Sequence, residues 1–336
     1  MRTLLSTTRT LRRHARGVTL IELMVAVAIG AFLMIGAMNV FMQSRTTFRI
    51  NQSVARLQEN ARFVLATIEP DIRMASYYGL TNNSVQITGR AKTTVPNGIG
   101  PSSCGANWTI DLDTPVTGSN NAYPWPALTC GATGGYQAGT DTITIRRVVD
   151  NATLPGLLGV NTLYVYSQRA TTGQIFIPPV PAGVLPGGQS FQLIASGYYI
   201  SRQSASLGAK GATIPSLHHK WLRGNPPTIQ DDEILPGVED LQVEFGIDTD
   251  APGAAGRGAI DRYVNPGDPL LAGANTVVLA VRIWLRLRAE DIENGFTDTT
   301  TYAYANVNYT PPVAAQPFRR LLISKTIYLR NARPMT

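Results

Sequence analysis

Residues 18–42 form a run of 25 residues in which Thr19, Glu22 and Asn39 are the only polar side chains. At 1.5 Å of rise per residue a helix of that length reaches about 37 Å, enough for a tilted crossing of a bilayer. Arg2, Arg9, Arg12, Arg13 and Arg16 stand before it, with no acidic residue among the first 17. Arginines on one flank put the N-terminus in the cytoplasm and everything after the span outside, which in a bacterium is the periplasm. The same five residues explain the formal charge of +7. Without them 24 basic residues face 22 acidic ones, so the body of the chain is not basic. A secretory signal would have a shorter apolar core closed by a small-residue cleavage site. No such site closes this run, and the span is retained.

Glu22 is the anomaly within it. A carboxylate in an apolar segment costs roughly 2.5–3.5 kcal/mol at a bilayer centre and less near an interface, where this one sits. It either reaches the aqueous edge or awaits a cation. Cleavage after Gly17 would create such a cation, the free amine of Val18.

The octapeptide Arg16-Gly17-Val18-Thr19-Leu20-Ile21-Glu22-Leu23 resembles the class III signal of type IV prepilins and pseudopilins. The resemblance implies that a prepilin peptidase cuts after Gly17 and methylates Val18. It also implies that Glu22, the fifth mature residue, neutralises the N-terminal amine of a neighbouring subunit during assembly. The family usually begins its mature chain with Phe, where this one has Val18.

Beyond the span, Ile50, Val54, Leu57, Ala61, Val64 and Ile68 recur at helical period, with Arg49, Gln52, Arg56, Glu59 and Arg62 on the other face. Pro70 kinks or ends this helix, and Asp71–Tyr78 adds up to two further turns before Gly79. As one helix, residues 18–69 would measure about 78 Å. After it, β-branched and alternating segments predict strands over 141–149, 162–166, 241–247 and 279–288, and a last one carrying Leu321, Ile323, Ile327 and Leu329. Three of these have one apolar face, which predicts an antiparallel sheet lying on the helix stripe. Residues 81–140 and 179–190, rich in Gly, Pro, Asn and Thr, read as loops.

Further along the chain, Gln58-Glu59-Asn60-Ala61-Arg62, Asp71-Ile72-Arg73-Met74-Ala75 and Tyr78-Gly79 resemble the helix of PilW-type minor pilins. Leu235-Pro236-Gly237-Val238-Glu239-Asp240-Leu241, Gly246–Asp250 and Ile327–Asn331 are similar to the same family's C-terminal half. The resemblance implies an α+β, pilin-like lollipop: a long transmembrane and amphipathic helix packed on an antiparallel β-sheet head with long loops. The expected divisions are a removed leader at 1–17, a membrane half-helix at 18–42, an amphipathic half at 43–80 and a periplasmic head at 81–336. The implied role is that of a minor pilin that primes type IV pilus assembly. Its implied partners are the prepilin peptidase, other minor pilins, the major pilin, inner-membrane lipid and a tip adhesin. Two other readings share the signal: a minor pseudopilin of a type II secretion system, and a DNA-uptake pilin.

Candidate chemistry is sparse. Cys104 and Cys130, in Gly- and Pro-rich surroundings of an oxidising compartment, predict a disulfide, worth about 3.5 kcal/mol on the chain-entropy model. Two sulfurs without a neighbouring His do not predict zinc. His218 and His219 are adjacent and read as a surface turn. Asp248, Asp250 and Asp261 with Gly253 faintly resemble a calcium loop, but the EF-hand glutamate is missing and a plain hairpin loop is expected. Arg282, Trp284, Arg286 and Arg288 alternate on one strand face and could stack on single-stranded DNA. Cross-strand pairing with Glu239 or Glu244 is the simpler expectation, so nucleic acid is not an expected partner. No H-E-x-x-H, G-x-S-x-G or P-loop pattern occurs, and neither catalytic residues nor a cofactor or metal is assigned.

Overall fold

The computed structural model describes residues 17–90, 103–105, 107–169, 172–180, 187–224 and 227–332. Of the leader expected at 1–17, residues 1–16 lie outside them. The chain divides into two compact units, one ending at Gln52 and one running from Ser53.

Among the described residues one helix, α1 (Leu20–Arg73), accounts for all the α-structure. In the first unit its residues are exposed on every side from Leu20 to Arg49. A helix apolar all round is stable only where something buries it. In the second unit the helix changes character. Leu57, Ala61, Val64, Ile68 and Ile72 are buried and the faces between them stay polar. Pro70 does not stop it. Its missing N–H falls in the last turn, which Met74 closes by donating to the Pro70 carbonyl at 3.1 Å, and the helix ends three residues later. The chain leaves through Ser76, whose φ of 65° is the left-handed conformation that commonly follows a helix end.

Fourteen strands follow among the described residues: β1 (Ile87–Thr88), β2 (Val116–Ser119), β3 (Thr142–Val148), β4 (Tyr164–Ser167), β5 (Gly173–Phe176), β6 (Gln189–Ser201), β7 (Ser216–Arg223), β8 (Thr228–Pro236), β9 (Val238–Asp248), β10 (Arg262–Val264), β11 (Val277–Arg288), β12 (Tyr302–Tyr304), β13 (Val307–Tyr309) and β14 (Arg320–Tyr328). The strands expected from alternation at 241–247, 279–288 and the C-terminus are β9, β11 and β14. With β10 they form a four-stranded antiparallel sheet in the order β10-β9-β11-β14. Its inward residues, among them Leu241, Val243, Ile283, Leu285 and Ile327, share one core with the helix stripe.

A second, eight-stranded sheet was not legible as such. Its path is β1-β5-β4-β6-β3-β2, with β7 and β8 joined to the far end of β6. β6 is its spine. Gln189–Gln192 pair with β4, Leu193–Tyr198 with β3 and Ser196–Ser201 with β7. Tyr198 and Ile200 point into the helix core, whereas Phe191, Leu193, Ala195 and Tyr199 point into a second core on the other face. A strand buried on both faces loses its period-2 signal.

The stretch read as loop at 81–140 needs the same correction. It carries β1 and β2, and it supplies Trp108, Ile110, Leu112 and Trp125 to the second core, where the two indoles meet edge to face at 6.3 Å. The stretch at 179–190 likewise ends inside β6.

Candidate assembly site

Gly17, Val18 and Thr19 precede the first helical turn and are exposed. Thr19 caps that turn. Its hydroxyl accepts from the Glu22 amide at 3.3 Å and its carbonyl from the Leu23 amide at 3.1 Å. Glu22 thus sits on the first turn, where a carboxylate meets the positive end of the helix dipole. Among the described residues no cation pairs with it. Cleavage at Gly17 would leave the Val18 amine one turn from this carboxylate in the same chain and equally open to a neighbour's.

At the other end, α1 is held by charged side chains that periodicity could not reveal. Glu69 pairs with Arg73 one turn on and with the Lys325 ammonium on β14 at 2.5 Å. The Lys325 hydrogen bond holds the Glu69 carboxyl below its usual range. Asp71 is buried. It accepts from the Arg147 guanidinium at 2.7 and 3.0 Å and from the Tyr198 hydroxyl at 2.7 Å, on β3 and β6. The Tyr198 hydroxyl is pushed far up by its own burial and by the Asp71 charge. One turn of helix therefore reaches both sheets.

Cys104 and Cys130 are bonded, with Cα atoms 4.8 Å apart. The bridge fastens the Trp108–Trp125 region, and the chain just after it is clamped to β7 and β8. Lys220 Nζ donates to the Gly131 carbonyl at 2.9 Å and to Asp231 at 2.7 Å. Asp231 also accepts from the Tyr199 and Thr133 hydroxyls at 2.8 Å and contacts His218 Nδ1 at 3.1 Å. Burial would raise the Asp231 carboxyl, but hydrogen bonds from His218, Lys220 and Thr133 together with the Lys220 charge hold it well below the usual carboxylate range.

His218 and His219 therefore do not form the surface turn expected of them. They are neighbours on β7 and face opposite ways, as strand geometry requires. His218 is buried against Asp231. His219 stacks on Tyr198 at 4.6 Å between ring centroids, and burial pulls its pKa down.

The basic face of β11 is paired. Arg282 meets Glu244 at 3.6 Å and stacks on Tyr263 at 3.5 Å from the ring centroid. Arg286 reaches Glu239 at 3.1 Å and Asp240 at 3.4 Å, and Arg288 lies 3.6 Å from Glu239. Arg320 completes the group with a two-pronged grip on Glu239 at 2.8 and 3.0 Å and a bond to Asp298 at 3.2 Å. Three guanidiniums thus face Glu239, Asp240 and Asp298 in a buried, charge-balanced cluster. This is the cross-strand pairing expected with Glu239 and Glu244.

Asp248, Asp250 and Asp261 come together with their ligand atoms within 4.8 Å of one another. Asp248 is occupied by the Gly258 amide at 2.5 Å and Arg257 at 3.4 Å, and Asp261 by the Thr249 amide and hydroxyl at 2.7 Å. Arg257 also donates to the Asp250 and Asn275 carbonyls at 2.6 and 2.7 Å, and together these bonds tie the loop between β9 and β10.

Residues 197–331 match the family model described as type IV pilus-assembly protein W, and residues 12–38 match the prokaryotic N-terminal methylation motif. Among solved structures the chain is similar to a type IV-like pilin from Thermus thermophilus. That similarity is 12% identity over 83% of this chain and 98% of the other, with a TM-score of 0.34. No curated protein matches.

Proposed function

We propose that this chain, a type IV pilus minor pilin-like protein of PilW type, is a structural subunit that helps to prime pilus assembly and enters the fibre at low level, at its tip. One observation carries the reading. The methylation motif, with Gly17, Val18 and Glu22 opening an unburied apolar helix, stands in the same chain as the PilW-like segment. In this reading the prepilin peptidase removes residues 1–17 and methylates Val18 at the cytoplasmic face. Residues 18–42 hold the chain in the inner membrane, residues 43–80 continue the helix, and the head formed by 81–336 lies in the periplasm until assembly. Glu22 pairs with a neighbour's Val18 amine as the subunit leaves lipid for the fibre. The protein does no chemistry of its own, and its partners are other minor pilins, the major pilin and an adhesin at the tip.

A clean deletion, scored in parallel for surface pili and for secreted enzymes, tests the proposal. Loss of pili with secretion intact is expected. Loss of secretion with pili intact would assign the chain to a type II secretion system instead.

A further inference from the structure

β14 is the last strand of the four-stranded sheet, and only its β11 side is paired. The direction of each backbone group on it follows from two bonds that bracket the ladder. Leu329 donates to Leu279 at 2.9 Å and Ala289 to Arg319 at 2.8 Å. In the uniform register between them, the odd-numbered residues of β14 exchange hydrogen bonds with β11. The N–H and C=O groups of Leu322, Ser324, Thr326 and Tyr328 therefore point out of the sheet. Among the described residues nothing bonds to them.

Proteins usually blunt such an edge with a proline, a bulge, a very short strand or outward charge. β14 has none of the first three. It is nine residues long, regular and proline-free. Of its two charges, Arg320 is buried against Glu239 and Asp298, and Lys325 is engaged with Glu69, which also neutralises Arg73. One carboxylate thus faces two cations, and Arg330 adds an exposed third at the strand's end, so the edge is net positive.

We infer that the open edge of β14 is a strand-acceptor site for an extended segment of another polypeptide that places an acidic side chain opposite Lys325. The added strand would receive main-chain bonds from the four outward residues and continue the apolar face of Leu321, Ile323 and Ile327. A second copy of this chain fits poorly. The antiparallel register that engages all four outward residues pairs 322 with 328 and 324 with 326, and it sets Lys325 against Lys325. The inference does not rest on the minor-pilin reading, because the edge exists in the isolated chain.

The test uses the full chain in detergent micelles and a blocked nine-residue peptide of alternating valine and threonine, beginning with valine and carrying glutamate at its centre. Amide exchange followed by NMR should slow at least tenfold at Leu322, Ser324, Thr326 and Tyr328 when this peptide is added. A central lysine should weaken binding about tenfold, and methylating alternate peptide amides should abolish it. Ser324→Pro removes an N–H that the sheet itself does not use. It should lose the peptide while Leu321, Ile323 and Ile327 stay protected. Lys325→Glu, which leaves the backbone alone, should reverse the preference between the glutamate and lysine peptides. Outward amides already protected in the free chain would overturn the inference. So would protection that rises with protein concentration alone, which would assign the edge to a second copy. Equal binding of the methylated peptide would do the same.

Discussion

Asp231 gathers the hydroxyls of Tyr199 and Thr133, the Lys220 ammonium and the His218 ring around one carboxylate. Its pKa is held below the unfolded value of about 3.9, so the stability it contributes is complete above that value and lost as pH falls through and below it. Asp231→Asn leaves Lys220, only 3% exposed, without its counter-charge. The expected cost at pH 7 is about 3 kcal/mol, a fall of about 5 °C in the melting temperature. The variant should also lose stability less steeply than the parent between about pH 4 and pH 2, which thermal melts across that range would read. Glu22 is the opposite kind of carboxylate, exposed and unpaired among the described residues. Glu22→Ala should leave leader cleavage intact and reduce incorporation into the fibre. Normal piliation of that strain at native expression would remove the role assigned to Glu22.

At the scale of the element, legibility followed the chemistry of a strand's two faces. β9 and β11 set apolar side chains on the core face and polar ones such as Asp240, Gln242, Arg282 and Arg286 on the other, so their alternation stands out in the sequence even where both faces are covered. β6 and β7 do not, because β6 is apolar on both faces and polar residues such as Ser196, His218 and Lys220 are buried beside apolar ones. The stripe from Leu57 to Ile68 was readable from spacing. Asp71, which joins that helix to Arg147 and Tyr198, was not, since its partners lie 76 and 127 residues away. The methylation motif matched over residues 12–38 was legible because it is local. The Cys104–Cys130 pair was legible because only one pairing exists. That bridge holds a segment with little regular structure of its own over the second core. Reduction should therefore loosen residues 103–132 before either sheet. Alkylation without reductant should label neither cysteine. After reduction both should react, and the melting temperature should fall by about 6 °C, as about 3.5 kcal/mol predicts.

For the whole molecule, mature protein extracted from membranes should have the intact mass of a chain beginning with methylated Val18, and a protein that retains Met1 would refute the processing proposed. Abundance follows from size. The head proposed for residues 81–336 would have a radius of gyration of about 18 Å by compact-domain scaling, against roughly 13 Å for 100 residues. It would be carried on a helix only about 10–12 Å across. Repeated along a close-packed fibre, such heads would collide, whereas one at the end has room. Sheared pili should contain the protein far below the major subunit's level, with label at fibre ends, and even labelling along the shaft would sink that placement. A subunit in a fibre also has to survive tension. Within the second unit, Glu69 and Asp71 fasten the helix to β14, β3 and β6 inside a single turn, at the last turn of the apolar stripe between Ile68 and Ile72. A pull along α1 strains these bonds in parallel, so none can yield while its neighbours hold. Detachment is then a single abrupt rupture with a high force threshold, where a grip strung out along the helix would have peeled away bond by bond.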